Sequence, residues 1–266
     1  MTRHSTPTSR LTAIAAAAFV VAAPVDSLRA QRSASLRAEV LIDSAANHDF
    51  PTLIAVCGDL LIVGGGRSDT AFLVHDRATG RRLSAFGREG SGPLEFRQPS
   101  SLQAQHTCNG NEGEVAIFDP ANGRLSVVRV RGNQRPSLLR AAVGELAGQS
   151  AVMVGYDGHL YGFGAFAEAR ISEFDPDGKR RRAFGENPLV EEGVPPSVAN
   201  QALQPSVAVT AGGRVAFVGA RYAGRIDVYS LSDGRRTEAR VPRPFAPRID
   251  VAHNGAMLVF RTNQDT

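Results

Sequence analysis

Polar side chains on predicted loops, the arginines first among them, are the candidates for ligand binding in this chain of 266 residues. A guanidinium group presents a planar fork of N–H donors that matches a carboxylate or a phosphate. We therefore take as candidate ligand-binding residues Arg67, Asp69, Arg97, Asn122 and Arg221. The alternative for each arginine is that it is solvated or pairs with a neighbouring carboxylate.

Neither the carboxylates nor the histidines form a recognisable catalytic motif. The adjacent Glu191 and Glu192 could bind Ca²⁺ or serve acid–base chemistry, or could simply lie in a solvated loop. A zinc site needs converging histidines, and the spacing of His106, His159 and the other histidines matches no HExxH motif. A Gly-x-Ser-x-Gly elbow, a P-loop and a dinucleotide fingerprint are also missing. We therefore predict no catalytic residue, no metal and no cofactor, with Ca²⁺ kept for the case of an enzyme.

The first 30 residues have the composition of an export signal. Arg3 and Arg10 precede the uncharged apolar run Leu11–Ala23, and a small residue, Ala30, ends the segment. These are the parts of a secretory signal, and the apolar run is shorter than the ~20 residues of a membrane helix. We predict a signal peptide, a mature domain over 31–266, and a periplasmic or secreted location. An uncleaved N-terminal anchor is the alternative.

The net charge gives little support to a nucleic-acid partner. It is +4 for the whole chain, and loss of the first 30 residues removes three arginines and one aspartate to leave about +2. No contiguous basic run occurs beyond Lys179–Arg182. We expect no nucleic-acid partner, and no later segment is apolar enough to span a membrane.

The elements that must position these residues are short β-rich runs that group in fours. Four groups lie between Pro51 and Val241, and a fifth group with two runs begins at Ile249. A glycine follows each third run, where a tight turn requires a positive φ, and these residues are Gly80, Gly132, Gly178 and Gly234. Four-stranded units repeated about every 50 residues are typical of β-propeller blades.

One segment between the first two groups carries a family resemblance. Gly87–Pro99 has spaced glycines, then a phenylalanine and a proline, and it resembles the inter-blade segment of NHL-type repeats, with Leu94 in place of a small residue. Arg170–Gly178 resembles the third strand and turn of the same repeat. The chain is thus similar to the six-bladed TolB-like propellers of exported bacterial proteins. The resemblance implies an all-β propeller of four-stranded antiparallel blades. We expect a six-bladed parent, truncated here to about four and a half blades. A five-bladed ring closed by Ser35–Ile42 is the alternative.

The two cysteines fit this repeat. Cys57 and Cys108 each follow the first run of a group, and equivalent turns of neighbouring blades lie close together. An oxidising compartment would permit a disulfide between them. Two free thiols are the alternative.

The expected function follows from the propeller and from the loops that hold the candidate residues. Propeller ligands usually lie over the central channel, on the loops between second and third strands and between blades. We expect an exported module that binds a protein or a small molecule. The alternative is a metal-assisted hydrolase or lyase, lactonase-like or strictosidine-synthase-like, and a fragment without a function of its own is a third reading.

Overall fold

The computed structural model describes residues 42, 51–65, 70–164, 169–185, 205–210, 212–220, 225–239, 249–254 and 257–262. All of them belong to one compact unit, Val40–Thr266, and their regular secondary structure is β-strand. The predicted signal peptide and nearly all of Ser35–Ile42 lie outside the described residues. In the part of the chain described, no helix is long and apolar enough to cross a membrane.

Four antiparallel sheets of four strands form four blades of a β-propeller. Blade 1 contains β1 Leu53–Cys57, β2 Leu60–Gly64, β3 Phe72–Asp76 and β4 Arg82–Phe86. A two-residue parallel pair, β5 Arg88–Glu89 and β6 Glu95–Phe96, follows in the inter-blade segment. Blade 2 contains β7 Ser101–Ala104, β8 Glu112–Asp119, β9 Arg124–Arg131 and β10 Ser137–Val143.

The remaining strands continue the same order. Blade 3 contains β11 Ala151–Val154, β12 Leu160–Phe163, β13 Ile171–Phe174 and β14 Arg180–Phe184. Blade 4 contains β15 Pro205–Val209, β16 Val215–Ala220, β17 Arg225–Ser230 and β18 Arg236–Ala239. A hairpin of β19 Ile249–Asn254 and β20 Met257–Thr262 follows. The first strands of blades 1, 2 and 3 contact one another, so they line the axis and the fourth strands are outermost.

The middle blades are apolar on both faces, because successive side chains of a strand point to opposite sides of its sheet. In β8, Val115 and Ile117 pack towards blade 1, whereas Ala116 and Phe118 pack towards blade 3. Each blade interface therefore has its own core, and a third core joins blades 3 and 4 around Tyr229. Truncation of a fully buried Leu or Phe in such a core costs about 2–5 kcal/mol.

Polar contacts also join neighbouring blades. The Gln103 amide donates to the Val154 carbonyl at 3.0 Å and accepts from the Val154 N–H at 2.7 Å, which ties β7 to β11. Between blades 3 and 4, Arg170 pairs with Asp227 at 2.5 Å, and both side chains are buried. Because each partner is withdrawn from water, loss of either one would leave an uncompensated charge.

The predicted fold class is confirmed, as an all-β chain with four complete antiparallel blades. The β-rich runs of the sequence coincide with the strands to within a few residues. The second strand of blade 2 begins at Glu112, before the apolar run Val115–Asp119, because β8 pairs with the whole length of β9. The number of blades in a closed ring stays a prediction.

Candidate functional site

The candidate residues on the loop face divide between described and undescribed parts of the chain. Arg67, Asp69 and Arg221 lie outside the described residues. The side chain of Arg97 is exposed, and its backbone N–H donates to Asp119 Oδ2 at 2.7 Å. A binding role for Arg97 stays a prediction.

Asn122 is engaged in holding the inter-blade segment. Its amide N–H₂ donates to the Gly90 carbonyl at 2.9 Å and to Asp119 Oδ2 at 2.8 Å, and its Oδ1 accepts from the Ser91 hydroxyl at 3.0 Å. Arg124 adds further bonds to the Ser91 and Glu95 carbonyls. These hydrogen bonds show that the Asn122 side chain stabilises the inter-blade segment.

Leu94 lies in the same segment with a φ of 55°. It is the one non-glycine residue with a positive φ in the described part of the chain. An L-residue in this left-handed region carries a cost of roughly 1–2 kcal/mol, which a glycine would avoid. Leu94, which replaces the small residue of the NHL-type pattern, thus has a backbone conformation that favours glycine.

Cys57 and Cys108 are joined by a disulfide, with their Cα atoms 4.8 Å apart. Both cysteines lie at the turns between first and second strands, in blades 1 and 2. Gly113 leaves room for the bond, since a Cβ there would lie 2.4 Å from the Cys57 sulfur. Beside the disulfide, the Asp59 N–H donates to the Gly110 carbonyl at 2.7 Å. A hydrogen bond and a disulfide therefore both connect blades 1 and 2 at this point.

A groove of about 460 Å³ opens on the outer rim between these two blades. We call it the rim groove. Blade 1 contributes the end of β3, the following turn and β4, and blade 2 contributes the start of β8 and the turn after β9. The lining residues are Asp76, Arg81, Leu83, Asn111, Glu112, Arg131, Gly132, Asn133 and Gln134. Its size falls within the range of about 300–1,000 Å³ that is usual for small-molecule sites.

Four polar side chains in the rim groove are exposed and available to a ligand. They are Arg81, Asn111, Asn133 and Gln134. Within the described residues, no side-chain hydrogen bond or ion pair engages any of them. A carboxamide supplies two N–H donors and an acceptor oxygen, and a guanidinium supplies five donors. The groove can therefore recognise a ligand that is rich in hydroxyl or carboxylate oxygens.

The two carboxylates of the rim groove are already engaged. Asp76 Oδ1 accepts from the Thr79 N–H at 2.8 Å, the Thr79 hydroxyl at 2.8 Å and the Ala78 N–H at 3.0 Å. These bonds, led by the backbone N–H of Thr79, lower the pKa of Asp76. Glu112 pairs with Arg131 at 3.0 Å. An anionic ligand would thus meet no carboxylate that lacks a partner.

A second and smaller depression, of about 120 Å³, lies at the ends of the inner strands of blades 2 and 3. Its polar wall includes Gln103, Gln105 and His106. Tyr156 forms another side, and the guanidinium carbon of Arg214 lies 4.6 Å from the centre of the Tyr156 ring. Gln103 is occupied by its bonds to Val154. This volume is about a quarter of that of the rim groove, so the depression would hold a single small group.

A cluster of titratable side chains on blade 3 has a structural role. Glu173 accepts from Arg182 Nε at 2.5 Å and lies 3.0 Å from His159 Nδ1. Arg182 also donates to the Leu231 and Ser232 carbonyls of blade 4, so the cluster fastens the two blades. Burial, followed by the charge of Asp157, raises the pKa of Tyr161. No group of three or more His, Cys, Asp or Glu side chains in the described ranges is arranged to hold a metal ion.

The rim groove was not among the sites predicted from the sequence. Its amides lie in turns between first and second strands and between third and fourth strands, whereas the predicted site was on the opposite loops. Asparagine and glutamine in a turn are ordinary turn residues, so their identity carried no signal. These amides differ from those in other turns because turns of two blades meet here and form a groove.

The fold assigns the chain to the β-propellers, and two polar depressions lie on the described blades. No protein-family model matches the chain, and no curated protein matches it. Solved structures do resemble it. A Bacteroides fragilis protein assigned as exported has a TM-score of 0.50 and 14% identity, over 74% of this chain and 52% of that chain.

Two further structures are similar at lower scores. A streptogramin B lyase has a TM-score of 0.43 and 12% identity, over 73% of this chain and 55% of that one. A Bacteroides uniformis protein assigned as a 6-phosphogluconolactonase has a TM-score of 0.44 and 13% identity, over 80% and 63%. The chain spans about half the length of the first of these structures. At sequence identities this low, the resemblance extends to the fold alone.

Proposed function

We propose that this protein is an exported β-propeller that binds a polar ligand in the rim groove between blades 1 and 2. The observation that carries the proposal is the set of four exposed polar side chains, Arg81, Asn111, Asn133 and Gln134, which face one groove without partners among the described residues. Polar groups that converge on a concave site fix the orientation of a ligand.

The walls of the rim groove are held in place before any ligand arrives. The disulfide of Cys57 and Cys108 joins the two blades, and the Gly132 N–H donates to the Asn111 carbonyl at 2.9 Å. A site that needs no reorganisation loses less affinity to the ordering of side chains and loops. This rigidity supports binding rather than a purely structural groove.

Export and the finer class of propeller belong to the same proposal. A disulfide is stable outside the reducing cytoplasm, in agreement with the signal-like first 30 residues. The Gly87–Pro99 segment, with its positive φ at Leu94, supports a propeller of the NHL or TolB-like kind. A parent ring of six blades is part of the same proposal. Expression of the full chain in a bacterial host tests the export. The periplasmic product should begin at Gln31, and cytoplasmic retention with an intact N-terminus would contradict this.

A thermal-shift panel tests the binding site. The mature chain, with its disulfide intact, is screened against maltotriose, trigalacturonate, free amino acids and short acidic and basic peptides. We expect at least one compound to raise the melting temperature of the protein, because a ligand that binds only the folded state stabilises it. Two sets of variants locate the site. The triple change Asn111→Ala, Asn133→Ala and Gln134→Ala should abolish the shift.

The matched control is Gln98→Ala, which removes an exposed amide from the inter-blade segment outside the groove. This variant should respond to the ligand as the unchanged protein does. If no compound shifts the melting temperature, or if the triple variant still responds fully, the rim groove is not the binding site.

A further inference from the structure

The further inference rests on the proposed function and names the class of its ligand. We propose that the rim groove binds an acidic saccharide, with a carboxylate of the ligand on Arg81 and its hydroxyls on the amides of Asn111, Asn133 and Gln134. Three features support this class of ligand, namely the amides, the guanidinium of Arg81 and the distribution of charge over the blades.

The amides suit a ligand that carries many hydroxyl groups. A sugar hydroxyl both donates and accepts a hydrogen bond, and a carboxamide does the same with separate atoms. Asn111, Asn133 and Gln134 place three such groups around one groove, all exposed. A simple anion would need only donors, so three amides point to a ligand with hydroxyls as well.

Arg81 supplies the site for the acidic group. Its guanidinium can bind a carboxylate through two parallel N–H···O bonds. Arg81 is near enough to Asp76 to contribute to the lowered pKa of that residue. The Asp76 Oδ1 atom is nevertheless filled by its own turn, and in the described structure no ion pair joins Asp76 to Arg81. The N–H donors of Arg81 make no side-chain hydrogen bond in the described part of the chain, so they can take a carboxylate from outside although Asp76 lies nearby.

The net charge of the blades differs between their outermost strands and their inner strands. The outermost strands β4, β10, β14 and β18 carry six arginines and one glutamate. The first three strands of the blades carry four arginines, and their six carboxylates are Asp76, Glu112, Glu114, Asp119, Glu173 and Asp227. Charged residues on edge strands prevent unwanted strand pairing, but either sign would do this. The excess of cations adds a field that attracts acidic ligands to the rim.

The decisive experiment compares two ligands with the same sugar rings, of which one is charged and the other is its neutral methyl ester. Trigalacturonate and its fully methyl-esterified form have the same sugar rings, and the ester lacks the three carboxylates. Binding of each to the mature, oxidised chain is measured by isothermal titration calorimetry at low ionic strength. We expect the acid to bind at least about tenfold more tightly than the ester, the effect of one charge-assisted pair.

Variants assign the preference to the rim groove. Arg81→Gln should weaken binding of the acid far more than binding of the ester, and the preference for the acid should therefore disappear. Arg140→Gln is the matched control, because Arg140 is an exposed rim arginine that does not line the groove. It should keep the preference. The pair Asn133→Ala and Gln134→Ala should weaken both ligands about equally. Each variant is accepted only if its urea-unfolding midpoint equals that of the unchanged protein.

Each contrary result has a separate meaning. Equal binding of acid and ester would overturn the acidic class and leave saccharide binding in the groove. No binding of either trimer would overturn the saccharide, and the proposed binding function would then depend on the other compounds of the thermal-shift panel. If a short polyglutamate peptide bound in their place and lost affinity on Arg81→Gln, the ligand would be an acidic peptide and this inference would be wrong.

Discussion

The disulfide between Cys57 and Cys108 should contribute a large share of the stability of this propeller. It closes a loop with a sequence separation of 51 residues. The chain-entropy relation gives about 4 kcal/mol at 25 °C for a loop of that length, and measured values commonly fall between about 2 and 4 kcal/mol. We therefore expect the free energy of unfolding to fall by about 2–4 kcal/mol when the bond is reduced.

Urea unfolding of the mature chain, with and without a strong reductant, measures this difference. The double variant Cys57→Ala and Cys108→Ala is the control, and its midpoint should be the same in both solutions. A fall in the free energy of unfolding of less than about 0.5 kcal/mol on reduction, the size of an ordinary surface substitution, would contradict this prediction. A thiol assay in denaturant without reductant provides a second check. Two free thiols there would show that the bond is not formed.

Three further predictions concern single positions, each measured by denaturant unfolding. Asp227→Ala should lower the free energy of unfolding by about 3–5 kcal/mol, because it leaves Arg170 buried without its partner. The double variant Arg170→Met with Asp227→Leu should be close to neutral. A loss below about 1 kcal/mol for Asp227→Ala would contradict this prediction. Leu94→Gly should be more stable than Leu94→Ala by about 1 kcal/mol, the reverse of the order at a position with negative φ. Hydrogen bonds from the Ser230 side chain and the Arg235 backbone lower the pKa of Asp233 to about 2, so its stabilising effect should be complete above about pH 4 and disappear as the pH falls towards 2. Asp233→Asn should lose less stability over that interval than the unchanged protein, and an equal loss would show that this carboxylate is not involved.

The strands were predictable because their pattern is local. The β-rich runs Leu60–Gly64 and Arg82–Phe86 of the sequence coincide with β2 and β4. Apolar runs and the glycines that permit tight turns are enough to place a strand and its end. The start of β8 at Glu112 was not predictable in this way, because it depends on pairing with Arg131 at the far end of β9.

The candidate site was harder to predict, since a residue type does not reveal whether its polar atoms are already used. Asn122 was a reasonable candidate on a loop, but three hydrogen bonds commit its side chain to Asp119 and the inter-blade segment. Asn133 was not a candidate, and its amide is exposed at the rim groove. The two residues are the same amino acid in similar turns, and only their neighbours differ.

The amino-acid sequence by itself determined the all-β class, the four-stranded blades and the pairing of Cys57 with Cys108 as a candidate. These features depend on alternation, turn chemistry and spacing along the chain. The tertiary structure decided which turns of different blades meet, and therefore that Arg81 of blade 1 lines one groove with Asn133 of blade 2. Hydrogen bonds are satisfied between groups that are close in space, so the polar atoms left over for a ligand are known only after the blades have packed.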